Sequence, residues 1–81
     1  MFTSNPATVE ERADNLLIKK FGGNRSWEVT RDEVAAAVHK GYLIERPVFT
    51  APGFTFKQRG EPDRHFEFVS SGQQRLEELQ A

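Results

Sequence analysis

Apolar residues change their spacing near Gly41, and that change limits the fold more than any other feature. Before it, Val9, Ala13, Leu16, Leu17 and Phe21 recur at the intervals that line one face of a helix. After it, Phe54 and Phe56 alternate with Thr55 and Lys57, and Phe66 and Phe68 flank Glu67. That is the two-residue period of a half-buried strand. Helices followed by a hairpin define an α+β chain.

Punctuation residues set the boundaries. Residues 1–6 read as a loose lead-in to a single domain over 1–81. Thr8 followed by Glu11 forms a capping-box pattern, and a first helix is expected to about Lys20, where Lys19 and Lys20 suit the C-terminal dipole and Gly22-Gly23 stop it. The link Asn24–Val29 has room for one turn or a brief extended piece, with Trp27 as a core anchor. Thr30 and Glu33 repeat the capping pattern and open a second helix that runs to about Lys40 and ends at Gly41. Tyr42–Arg46 reads as a strand entry. Pro47 and Pro52 mark the 42–52 segment as an edge strand or an irregular lead-in. Ala51-Pro52-Gly53-Phe54 fits a type II turn, with Pro and Gly at its central positions. Residues 53–69 then read as a β-hairpin with its phenylalanines on one face and a turn over Arg59–Asp63. Ser71, with Gln74 three residues on, opens a last helix whose apolar stripe is Leu76 and Leu79.

Composition removes several function classes. The chain has 81 residues and no cysteine, so disulfides and thiolate metal sites are excluded. His39 and His65 lack a helical companion at the spacing a metal needs, so no metal or other cofactor is expected. No apolar stretch approaches the roughly 20 residues that span a bilayer, and the first residues lack the basic and apolar regions of a signal peptide. A soluble protein of the cytoplasm, with no membrane partner, is the expectation. Catalysis is not expected either. No serine, histidine and acid arrangement emerges, Glu10-Glu11 and Glu77-Glu78 are neighbours whose side chains diverge on a helix, and no phosphate loop follows Gly22-Gly23.

The net charge of −1 is unlike that of a general polyanion binder. Its distribution is more informative. Residues 1–18, 32–45 and 67–81 are net acidic, whereas 19–31 and 46–66 are net basic. Function turns on whether the two basic segments meet in space.

Two segments carry a family resemblance. Gly41-Tyr42-Leu43-Ile44-Glu45-Arg46 resembles the exit from the recognition helix in winged-helix regulators of the MarR and PadR kind. Phe68–Leu79, with Gly72 and leucines four and seven positions later, resembles the return strand of such a wing and the helix after it. The likeness covers roughly residues 30–81. It implies a small winged helix, about three helices with a β-hairpin wing, and double-stranded DNA as the target. Two departures are plain. Val69 stands where that family commonly has Ser or Thr, and the link between Gly23 and Val29 is too short for the full helix that precedes a recognition helix.

On this reading Lys57, Arg59, Arg64 and His65 of the wing contact phosphate or minor groove. Arg31 and Lys40 support them from the second helix, whose candidate base readers are Arg31, Asp32, Ala35, His39 and Lys40. The corresponding function is a small DNA-binding regulator, as a monomer or a homodimer. A second reading uses the same layout without DNA, as a protein-binding accessory factor or inhibitor of a size that phages and plasmids encode. The abbreviated helix-turn-helix, the near-neutral charge and the phenylalanine-rich hairpin favour it.

Overall fold

The computed structural model describes residues 8–23 and 28–81. The loose lead-in expected over 1–6 and the anchor role expected of Trp27 fall outside the described residues.

Helix α1 spans Val9–Phe21 and α2 spans Arg31–His39. Both start on reciprocal capping boxes. Thr8 Oγ1 accepts from Glu11 N–H (3.1 Å) while Glu11 accepts from Thr8 N–H (2.9 Å), and Thr30 and Glu33 repeat the exchange at 3.1 and 2.9 Å. Each box satisfies two backbone donors that a helix start would otherwise leave open. Gly41 ends α2 in the left-handed region (φ 80°). Its N–H bonds to Val38 O and that of Tyr42 to Ala37 O, the paired contacts of a Schellman stop.

Three strands follow: β1 (Leu43–Arg46), β2 (Gly53–Phe56) and β3 (Arg64–Phe68). They form an antiparallel sheet in the order β1-β3-β2, with Phe66 opposite both Glu45 and Phe54. The expected hairpin is therefore present, and the 42–52 segment supplies both features foreseen for it. Its first part is an edge strand, and residues 47–52 are irregular, carrying the chain past β3 to the far edge. Helix α3 (Ser70–Gln80) returns to pack on α1. Three helices and a β-hairpin wing make this a small α+β, winged-helix-like layout.

The sheet's inner face holds Leu43, Phe54, Phe56, Phe66 and Phe68 against Ala13, Leu16 and Leu17 of α1 and Val34, Ala36 and Ala37 of α2. Phe21 stacks on Phe68 with ring centroids 3.9 Å apart. Leu76, with Leu79 beside it, closes the core from α3. The outer face carries Ile44, Arg46, Thr55, His65 and Glu67, because alternate strand residues point to opposite sides.

Two local expectations are corrected. Residues 51–54 do not form a type II turn, which needs a positive φ at its third residue. Gly53 has no positive φ and is the first residue of β2. Glycine is required there for closeness, since a Cβ would collide with the carbonyl oxygens of Phe66 and Thr50. The positive φ lies instead at Gly60 (82°) in the turn where Glu61 N–H bonds to Gln58 O at 3.1 Å. Nor does Ser71 cap α3. The cap lies two residues earlier, at Val69, and makes no side-chain cap bond, so the helix begins at Ser70. The Ser71 hydroxyl is used elsewhere, donating to Gly41 O at the end of α2.

Candidate interaction face

Arg31 is the first residue of α2, and its side chain crosses to the hairpin turn. Its Nε donates to Gln58 Oε1 at 3.0 Å, and its Nη2 donates to Gln58 and, at 2.8 Å, to Glu61 Oε2. Arg64, at the start of β3, belongs to the inner-face set with Phe66 and Phe68. It donates from Nε and Nη2 to the two carboxylate oxygens of Glu45, both at 2.9 Å, and its guanidinium lies 5.2 Å from the Phe66 ring centroid. Glu45 faces the same way because it stands opposite Phe66 in the β1–β3 register. The forked bond holds the Glu45 carboxyl below its ordinary range and raises the Arg64 guanidinium above its own.

A groove of about 330 Å³ lies between α2 and this end of the sheet, lined by Arg31, Val34, Ala35, Val38, His39 and Arg64. Arg31, Ala35 and His39 stand four residues apart, with Val34 and Val38 beside them, so one helix face supplies a whole wall. The wall is apolar along its middle and basic at its start.

The six candidate nucleic-acid residues therefore separate. Arg31 and Arg64 are brought together at the groove. Lys57 and Arg59 lie exposed on either side of Gln58 in the hairpin turn, do not line the groove, and form no ion pair among the described residues. Lys40 caps the other end of α2, roughly 13 Å from Arg31 at a helical rise of 1.5 Å per residue. His65 points to the outer face, where its Nδ1 bonds Thr55 Oγ1 at 3.0 Å. One residue of offset along β3 thus parts His65 from Arg64. Of the base readers expected on α2, Ala35 and His39 line the groove, while Asp32 is exposed in the first turn.

The two basic segments do meet: Arg31 reaches the turn, and Lys20 lies over the Phe54 ring at 5.1 Å. They meet in company with acids. Sequence reasoning missed Glu45 and Glu61 as the partners of the arginines, and Gln58 as the acceptor that holds Arg31. Only the strand register, which places Glu45 diagonal to Arg64, could have signalled the first pair. On the outer face and the 47–52 crossover, Ile44, Val48 and Phe49 are exposed.

Among the described residues no helix is long and apolar enough to cross a membrane, and no cluster of three or more histidine or acidic side chains could hold a metal. Comparison of the chain with protein-family models, with curated proteins and with solved structures finds no match.

Proposed function

We propose that this chain is a small binding module that works through the face shared by α2 and the hairpin, and that its target is a protein. The observation that carries this reading is the internal pairing of Arg31 with Glu61 and of Arg64 with Glu45. Affinity for DNA rests on uncompensated cations that displace counterions from a row of phosphates. Here Arg31 and Arg64 each stand beside a carboxylate, so the field that these two contribute is weak at the distances where a polyanion is steered. What the face offers instead is a shaped groove with an apolar wall, suited to short-range contacts.

The test compares two positions of a photo-crosslinking side chain in the full protein. Placed at Ala35, in the groove, it should capture a discrete protein partner in cell extract. Placed at Glu77, on the exposed side of α3, it should not. Equal capture at both positions would sink the reading.

A second reading keeps the winged-helix DNA contact, in a regulator acting alone or as a homodimer. It is favoured by one specific observation: Lys57 and Arg59, which flank the Gln58 that holds Arg31, are exposed and form no ion pair among the described residues. The Coulombic worth of an exposed pair is only ~0–1 kcal/mol, so phosphate could displace Glu45 or Glu61. Labelled duplex DNA that binds with a steep salt dependence, and fails to bind when Lys57 and Arg59 are both changed to glutamate, would establish this reading and displace the first.

A further inference from the structure

We infer that the α2–hairpin groove is a seat for one carboxylate of a partner protein, carried beside an aliphatic side chain. This rests on the docking reading above and names the chemistry of what docks. The argument begins with donor bookkeeping. A guanidinium has five N–H donors, two of them on Nη1. Arg31 uses Nε and Nη2 on Gln58 and Glu61, and Arg64 uses Nε and Nη2 on Glu45. Among the described residues neither Nη1 donates to an acceptor, and both arginines line the groove. The internal carboxylates therefore orient the two forks and leave Nη1 of each unused. A preset donor costs less side-chain entropy to engage than a mobile one.

The rest of the lining selects the occupant. Val34, Ala35 and Val38 form an apolar strip between the basic end and His39. A carboxylate at the arginines brings the neighbouring side chain of its own segment against that strip. The volume of about 330 Å³ accommodates such a pair of groups. A nucleic-acid strand fits the same lining poorly. It presents phosphates in a row, and on either side of the arginines they would meet Asp32, Glu45 and Glu61. The pairing that weakens long-range attraction for a polyanion leaves recognition of a single anion intact, because charge-assisted hydrogen bonds act at contact.

The test is a chemical-shift titration of the full isotope-labelled chain with defined probes at millimolar concentration. The probes are a blocked leucine–glutamate–leucine peptide, its leucine–glutamine–leucine counterpart, and inorganic phosphate. The expected result is shifts confined to the amides of Val34, Ala35, Val38 and His39 and to the Arg31 and Arg64 Nε–H signals. The glutamate peptide should bind about tenfold or more tightly than the glutamine peptide. Arg64→Lys, which keeps charge but loses the fork, should weaken binding by a similar factor. Arg64 also packs on Phe66, so Ala35→Glu serves as an independent variant. It removes neither partner of either ion pair, puts a competing carboxylate in the groove, and should abolish the response. Equal binding of the two peptides, or no shift in the groove, would overturn the inference. So would phosphate binding as tightly as the glutamate peptide. Capture of a partner at Ala35 with no peptide response would reject the acidic occupant while leaving the docking reading standing.

Discussion

The helical side of the molecule and the hairpin side use the same ion-pair chemistry in different surroundings. On the helical side, Lys19 joins α1 to Glu33 of α2, and Arg75 of α3 grips Asp14 of α1 at 3.0 and 2.8 Å. The carboxylates there are largely buried, with side-chain exposures of 9% for Glu33 and 18% for Asp14. At the groove on the hairpin side the exposures are 42% for Glu61 and 47% for Glu45, while Glu67, paired with Arg46 on the outer face, is 24% exposed. A pair whose acid is buried is coupled to packing, because removing either partner strands a desolvated group. A pair open on both sides is coupled to little and leaves donors for something else. The first kind holds the three helices in register; the second shapes a surface. Arg75 shows the limiting case, its guanidinium raised well above the ordinary arginine value by Asp14 first and Glu78 second.

That contrast predicts an ordering of mutational effects. The largest belongs to Gly72, where α3 passes Tyr42. A Cβ there would meet Tyr42 O at 2.5 Å and Phe68 Cε1 at 2.9 Å. Gly72→Leu should destabilise by about 3 kcal/mol, measured as the shift in urea unfolding. A cost under about 1 kcal/mol would mean that α3 can slide on the sheet, and the helical side would lose its claim to be the fixed one. Next comes Glu33→Ala. It removes the acceptor for Thr30 N–H and the partner of Lys19, and should cost about 2 kcal/mol. Arg31→Gln should cost no more than about 0.5 kcal/mol, since that side chain is 59% exposed. It should nonetheless remove the groove's response to the glutamate peptide. If Arg31→Gln destabilised the protein as much as Glu33→Ala does, the division into a fixed side and a working side would fail.

The same division explains what could be seen in the sequence. Both capping boxes and the glycine stop of α2 were legible because their partners lie within a few residues. The inner face of the hairpin was legible because alternation alone decides it. Gly53 and Ser71 were misassigned for one reason: each answers to a distant backbone, Phe66 and Thr50 for the first, Gly41 for the second. The interaction face was the least legible part. Its charges could be counted, but Arg31 meets Gln58 across 27 positions and Arg64 meets Glu45 across 19, through a sheet order no local pattern encodes. Charge counting therefore grouped His65 with Arg64, although the pleat sends them to opposite faces, and left Glu45 out.

The smallest effect is the most direct probe of how loosely the hairpin side is held. Glu45 has its carboxyl lowered from the ordinary value of 4.5, by its hydrogen bonds to Arg64 first and by that residue's charge as well, while burial opposes them. A carboxyl whose folded pKa is depressed contributes stability that is fully present above its unfolded value and is lost as pH falls through the folded one. Wild type should thus exceed Glu45→Gln by a constant amount at neutral pH, on the order of 0.3 kcal/mol given its exposure to solvent. The gap should close below pH 4.5 and shrink with added salt. Parallel urea titrations of the two proteins, at neutral pH and at about pH 3, measure it. A gap that persisted in acid would show Glu45 held by packing, not by charge. The Arg64 fork would then be as rigid a part of the framework as the Arg75–Asp14 clamp on the other side.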